Sequence, residues 1–431
     1  LHSNKKNILI VGSGGREHAL GWKLSQSKYA KNVYHAEGNG GTFSNINIKS
    51  NESRRLALFA KEHKCFTVIG PEIPLANGIV DLFNEEDLSI FGPTKGAALL
   101  ESSKIFAKDF MKQNQIPTAN FSTFSDIEKA KDHVLRQTNR LVIKADGLAA
   151  GKGVVVCDTQ DDALAALDLM MVQNKFGHAG QNVIIEERIF GEEVSFIAIC
   201  DGTTIMPLAS SKDHKRVFDN DKGPNTGGMG SYSPAPFIDS ELDRKIIKDI
   251  MEPTVRGMSK RGQPFKGFLY AGIIMDSTRN QPYVLEYNVR MGDPECQPIM
   301  MRLKSDLFEY LQSTTEERLD SMQTLEWQNE ASVCVIMAAK GYPSSYEKGK
   351  WIRGLKSHLD RGTMIFHADT KRDEKNRIVT NGGRVLGVCA LGLNIKEAAI
   401  KAYSAVERIS WGRDEQHYRT DIGRVTLPYQ K

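Results

Sequence analysis

Through the first hundred residues the apolar positions come in short blocks that stop at glycine or proline. Residues 8 to 11, ILIV, end at GSGG, and the following REHALGWKLSQS sets Ala19, Leu20, Trp22 and Leu24 on one helical face. The same rhythm returns in NVYHA (32 to 36), CFTVIGP (65 to 71) and LSIFGP (88 to 93), the last leading into the helical stretch KGAALLESSKIFAKDFMKQN. Strands alternating with helices in this way predict an open parallel α/β sheet. From 140 to 200 the texture changes: LVIKA, VVVC, NVIIEER and EVSFIAIC are close-set strands around helical material at 161 to 173, and their short connections favour antiparallel pairing. Between 210 and 236 the run SKDHKRVFDNDKGPNTGGMGSYSPAP has no periodicity and predicts a long functional loop. Residues 267 to 276 and 282 to 290 read as a hairpin over STRNQ, with a helix in the 296 to 313 region. From about 331, ASVCVIMAA, GTMIFHA and RVLGVCALG with a helix at 395 to 410 predict a small separate α+β unit.

At 431 residues, with 40% hydrophobic and 26% charged side chains, the chain is globular material for two to four domains. Lys plus Arg number 57 and Asp plus Glu 53, a balance of +4 that is too small and too evenly spread to argue for nucleic acid or an anionic membrane. Small-molecule partners are expected instead. The six cysteines (65, 157, 200, 296, 334 and 389) stand far apart with no CxxC pair or zinc spacing, which predicts reduced thiols packed as small core residues. No apolar run approaches a signal core or a membrane span, so a cytoplasmic protein is expected, and the opening Leu1 reads as processing or a trimmed start.

Candidate chemistry begins at 144 to 156, KADGLAAGKGVVV. A P-loop needs GxxxxGK followed by Ser or Thr between a strand and a helix. Here Gly147 and Gly151 are separated by three residues, Gly153 stands where the hydroxyl belongs, and VVVC continues as a strand. The loop is therefore a hairpin tip. Such a tip folds over a polyphosphate as a lid with Lys144 and Lys152 supplying charge, or it is a surface hairpin with solvated lysines; the loop alone leaves both open. The second candidate is PYVLEYNVRMGDPE, 282 to 295. On a strand Glu286, Asn288 and Arg290 share one face while Leu285, Tyr287 and Val289 share the apolar other. A carboxylate beside an amide oxygen suits Mg²⁺, which takes a few protein oxygens plus nucleotide phosphates, and Arg290 next to it suits a phosphoryl group or a carboxylate. A solvent-facing polar stripe is the alternative.

Lys104 in SSKIFAKDF, Lys144 in VIKADGLAAGKGV, the run VIIEERIFGEEVSF, the loop DHKRVFDNDKGPNTGGMG and the strand LEYNVRMGDPE resemble the ATP-grasp enzymes. Their order and wording are similar to one family among them, the phosphoribosylamine-glycine ligases (glycinamide ribonucleotide synthetases), from GSGGREHAL through VIGPEIPLANG, YAGIIMD and TNGGRVL to RTDIG. The departures are small: Ser13 where Asn is common, and Met291 where an aromatic residue or Leu is usual. The resemblance implies an N-terminal α/β domain over 1–103, an ATP-grasp domain over 104–328 with a mobile lid at about 122–194, and a C-terminal α+β domain over 329–431. It implies an enzyme that joins glycine to 5-phosphoribosylamine at the expense of ATP in purine synthesis, with Mg²⁺ or Mn²⁺, working as a monomer. Carried onto this chain, Lys104 and Lys144 would hold the α and β phosphates, and the loop from Gly147 through Gly151 and Lys152 to Gly153 would close over them. Glu186 and Glu187, with their backbone, would meet the adenine, Glu193 the ribose hydroxyls, Glu286 and Asn288 the metal, and Arg290 the γ-phosphate. Asp213 would take the glycine ammonium. Next to it, His214, Lys215 and Arg216 face a substrate or form a solvated cluster. Gly14, Gly15 and Arg16, at a helix N-terminus suited to an anion, would meet the phosphate of the amine. Asn381, Gly382, Gly383 and Arg384 would close that site or simply make a turn.

Two other readings start from the residues. ILIVGSGG with Glu37 resembles half of a dinucleotide fingerprint, but its third glycine is replaced by Glu17, whose carboxylate would face a pyrophosphate. A nucleotide-binding regulator without turnover is the other, against which the Glu286, Asn288 and Arg290 set argues.

Overall fold

A computed structural model describes residues 5–148, 153–173, 175 and 177–424. Five parallel strands form the first sheet in the order Asn45–Ile46, Ala30–Glu37, Lys6–Gly12, Cys65–Ile69, Ile90–Phe91. Ile8 to Val11 are wholly buried, as a central parallel strand covered on both faces requires. The winding direction reverses at Lys6–Gly12, so the crevice beyond the ends of Lys6–Gly12 and Cys65–Ile69 is the switch point where open α/β sheets take ligands. Gly14 to Arg16 and Glu72 sit there.

The second unit is antiparallel, ordered Phe121–Phe124, Val183–Glu187, Leu141–Ala145, Val154–Cys157. The helices Ile127–Leu135 and Gln160–Leu167 cover it, and Val134, Ile143, Ala163, Leu167 and Ile185 form an apolar cluster of its own. A third sheet, ordered Ile205–Pro207, Gly191–Asp201, Lys266–Asp276, Gln281–Asn288, shares its core with the first: Phe196, Leu269 and Tyr287 pack in one cluster with Leu9, Phe83 and Phe110. The hairpin turn after Asp276 is fixed by that side chain, whose Oδ1 accepts from the Thr278 and Arg279 backbone N–H groups at 2.7 and 3.1 Å.

The C-terminal part is less separate than its sequence suggests. Its sheet runs Lys212–Asp213, Gly230–Ser233, Ala331–Ala339, Arg384–Gly392, Thr363–His367, with Gln416–His417 also beside Ala331–Ala339. The stretch expected to be a structureless loop therefore supplies two strands to this sheet, with Gly230–Ser233 pairing along Ala331–Ala339, and a separate antiparallel pair, Arg216–Phe218 with Lys222–Asn225. Arg419, 1% exposed, fastens the rest of that stretch to the chain end: its guanidinium meets Asp421 at 2.7 and 2.8 Å and Asp221 at 2.6 Å. All six cysteines are buried free thiols. Among the described residues no helix is long and apolar enough to cross a membrane.

Candidate active site

The register of the Gln281–Asn288 strand jumps: Gly272 pairs with Glu286 and Ile273 with Val284, leaving Leu285 unpaired. Such a bulge resets which way the following side chains point. Val284, Tyr287 and Val289 enter the core, while Glu286, Asn288 and Arg290 stand half-buried on the other side. Leu285, expected to pack with Tyr287 and Val289, is instead the extra half-buried residue, and its carbonyl accepts from Lys144 Nζ at 3.0 Å.

Glu286 is the anion of a cationic chamber. Lys215 Nζ lies 4.0 Å from its Oε1. Burial works against its charge, but Lys215, Lys144, Lys104 and Arg290 outweigh that and hold the carboxyl below the usual range. Lys104, at the start of the helix Lys104–Gln113, donates to the Gly147 carbonyl at 2.8 Å. Gly147 has φ 103°, a conformation that only glycine adopts freely. Gly151 and Lys152 lie outside the described residues; the Gly153 carbonyl accepts from Ala145 N–H at 2.8 Å. Arg290 is held by Glu101 at 2.7 Å and Glu72 at 3.3 Å, and these carboxylates overcome burial to raise its pKa further. Glu101 also accepts from Val289 N–H at 2.7 Å.

Next to the cations lies an acidic pocket. Burial, opposed by Lys215 and reinforced by Glu295, Glu193 and Glu286, pushes the Asp213 carboxyl up to about 7. Lys215 reaches Glu193 at 3.1 Å. Glu295 Oε1 accepts from the Tyr270 hydroxyl at 2.7 Å and from Ser195 Oγ at 3.0 Å. Strand alternation sorts the DHKR run: Asp213 and Lys215 face these groups, whereas His214 turns inward, with Nδ1 3.3 Å from the Gly230 carbonyl, and burial pulls its pKa down to about 4. Arg216 donates to the Gly223 carbonyl at 2.7 Å.

Glu186 and Glu187 end the Val183–Glu187 strand, but their carboxylates are taken. Glu186 is buried between Lys144 and Lys108, the latter at 2.5 Å. Glu187 Oε1 accepts from Asn120 N at 3.2 Å and Nδ2 at 3.1 Å.

The opposite wall joins three regions of sequence. Arg384 meets the Asp293 carboxylate at 2.8 Å, and Asp293 lies 3.6 Å from where a Cβ on either Gly14 or Gly15 would stand. Arg16 and Arg290 both donate to the Met291 carbonyl, at 3.2 and 3.3 Å. Glu17 caps its own helix by accepting from Gly14 N–H at 2.7 Å, which sets a carboxylate where a dinucleotide pyrophosphate would need room. Asn381 N–H donates to the Asp369 carbonyl at 2.8 Å, and Gly382 and Gly383 are buried against Asp369 and Tyr342. Asn381-Gly382 is no hairpin turn, since Ile378–Thr380 and Arg384–Gly392 belong to different sheets. Sequence reasoning assigned no role to Glu72, Glu101, Lys108, Asp293 or Glu295. All five lie in stretches that the sequence analysis singles out for other residues.

The chain matches the models described as Phosphoribosylglycinamide synthetase N domain over residues 6–101, ATP-grasp (A) domain over 102–296 and C domain over 332–425. A Vibrio vulnificus (strain CMCP6) protein named phosphoribosylamine--glycine ligase is 48% identical, with 97% of each chain covered. One of that name from Neisseria meningitidis serogroup B is 49% identical over 96% of this chain and 98% of its own. This chain belongs to the phosphoribosylamine-glycine ligase family. Its fold is similar to the crystal structure of the Thermotoga maritima ligase of that name (TM-score 0.83, 34% identity, covering 96% and 99% of the two chains). A biotin carboxylase from Campylobacter jejuni, at 15% identity and TM-score 0.71, shares the fold alone. Family membership makes the chain an ATP-dependent carbon-nitrogen ligase with an ATP-grasp core, of a kind that generally needs a divalent metal.

Because Glu101 serves Arg290 and Val289 at once, Glu101→Ala takes from a half-buried guanidinium its shorter carboxylate contact, leaving Glu72, and from a backbone N–H its acceptor. The expected loss is about 2 to 4 kcal/mol of stability. Denaturant unfolding beside the unaltered ligase measures it, and an unshifted midpoint would remove Glu101 from the anchoring of Arg290.

Proposed function

We propose that this chain makes glycinamide ribonucleotide from glycine and 5-phosphoribosylamine, with ATP converted to ADP and phosphate, at an early step of purine synthesis. The observation that carries this reading is the chamber itself: four cations gathered on Glu286, and an acidic pocket around Asp213 beside them. A carboxylate is a poor acyl donor. The γ-phosphoryl group therefore passes first to a glycine carboxylate oxygen as ADP leaves. The amine nitrogen then attacks the glycyl carbon, phosphate departs, and the new amide loses a proton. Phosphoryl transfer is chiefly positioning and charge neutralisation, so no protein nucleophile is required.

Lys104 and Lys144 hold the α and β phosphates under the glycine loop, the backbone ending Val183–Glu187 meets the base, and Glu193 meets the ribose. Arg290, oriented by Glu72 and Glu101, stabilises the γ-phosphoryl group in transfer. Asp213 takes the glycine ammonium, with Lys215 between it and Glu286. Arg384, Arg16, Gly14 and Gly15 receive the phosphoribosyl end, with Asn381, Gly382 and Gly383 shaping the approach to Arg384. Glu286 and Asn288 offer two hard oxygens. They would hold a divalent cation, Mg²⁺ or Mn²⁺, of the kind that takes a few protein oxygens alongside nucleotide phosphates. When bound, it neutralises charge on the transferring group.

Phosphate release that requires ATP, glycine and phosphoribosylamine together tests the reading; binding of NADH with indifference to ATP would refute it. Glu286→Ala should cut turnover by about a hundredfold or more while metal-free nucleotide binds as well as before or better, since an anion leaves a cationic chamber. Calorimetry with and without Mg²⁺ reads this, and a retained metal dependence would remove Glu286 as ligand. Asp213, whose carboxyl is pushed up to about 7, binds an ammonium only when ionised. The KM for glycine should therefore rise as pH falls below about 7, by up to about tenfold per unit, and Asp213→Asn should flatten that profile. An unchanged profile in the variant would exclude Asp213.

A further inference from the structure

One buried cation has no part in the mechanism above. Lys108, 2% exposed, lies one turn beyond Lys104 on the helix Lys104–Gln113. Its ammonium is 2.5 Å from Glu186 and donates at 2.7 Å to Thr118 Oγ1, whose hydroxyl donates at 2.8 Å to the Val284 carbonyl. On its other side Glu186 holds Lys144, which donates to the carbonyl of the bulged Leu285. The chain Thr118, Lys108, Glu186, Lys144, Leu285 thus runs from the helix through two strands of the antiparallel unit to the strand carrying Glu286.

The charges along it are alternating: ammonium, carboxylate, ammonium. Glu186 next to Lys144 alone would form a neutral pair, and a neutral pair has little attraction for phosphate. Adding Lys108 leaves the trio with one net positive charge on the side facing Glu286. Burial outweighs the attraction of Glu186 and leaves Lys108 at about 8, while Lys144 and Lys108 together overcome burial to keep Glu186 ionised. A lysine so deep, at a site where an apolar side chain would pack more cheaply, is otherwise unexplained.

We propose that Lys108 is a positioning residue for the nucleotide phosphates: through Glu186 it frees the charge of Lys144, which the carboxylate would otherwise cancel. The idea rests on the reading that Lys144 meets the phosphates, and Lys144→Met separates the two. Affinity for a non-hydrolysable ATP analogue is measured calorimetrically on the full chain, with the KM for glycine alongside.

Lys144→Met and Lys108→Met should each weaken the analogue by about tenfold or more, with the KM for glycine unmoved. The double variant Lys108→Met/Glu186→Gln, which restores one net positive charge, should return to within about threefold of the unaltered ligase. A cavity or packing defect would not be repaired by that second change. Glu186→Gln alone should bind the analogue at least as tightly as the unaltered ligase, which keeps the idea testable if Lys108→Met does not fold. Loss in Lys144→Met but not in Lys108→Met overturns this proposal alone, as does a double variant no better than Lys108→Met or a weakened Glu186→Gln. No loss in Lys144→Met overturns the parent reading and this one with it.

Discussion

An extra residue in one strand determines where the chemistry of this molecule sits. Without the bulge at Leu285, Val284 and Glu286 would share a face, and either a carboxylate would enter the core or a valine would line the chamber. With it, Val284 stays in the core, Glu286, Asn288 and Arg290 project outward, and the freed Leu285 carbonyl anchors Lys144. The bulge thus places a metal-type ligand pair and fixes a phosphate-type lysine by a single backbone irregularity.

Charge then couples the sheets. Arg290 belongs to the ATP-grasp core, yet its two carboxylate partners, Glu72 and Glu101, come from the first unit. Arg384, from the last, is fixed by Asp293 immediately after the Gln281–Asn288 strand. The chamber is cationic where phosphates are to lie and acidic where an ammonium is to lie, with Lys215 shared between Glu193 and Glu286. On the proposed reading, this division sorts substrate groups of opposite charge before any bond changes.

Much of this was legible in the sequence because it is local. Glycine-terminated apolar blocks alternating with helical stretches announce the parallel sheet, and GDPE with NTGGMGSYSPAP identifies the family. What escaped is what periodicity cannot encode. A bulge shifts the phase of alternation without any marker in EYNVR, so Leu285 was placed on the wrong face. Gly230–Ser233 is too short to show a period, and its strand character depends on Ala331–Ala339 a hundred residues on. The Glu101–Arg290 pair spans 189 residues, and Lys108 reads as an ordinary helix charge until Glu186 is folded against it.

The central claim is that Glu286, Asn288 and Arg290 converge on one nucleotide-bound cation. Crystals grown with Mn²⁺ and a non-hydrolysable ATP analogue, examined by anomalous diffraction, test it most directly. The account predicts a peak about 2.1 to 2.2 Å from oxygens of both Glu286 and Asn288, a spacing usual for small divalent cations, with the γ-phosphate beside Arg290. A peak away from that pair, or a nucleotide seated in the crevice at Gly12 to Glu17, would contradict it.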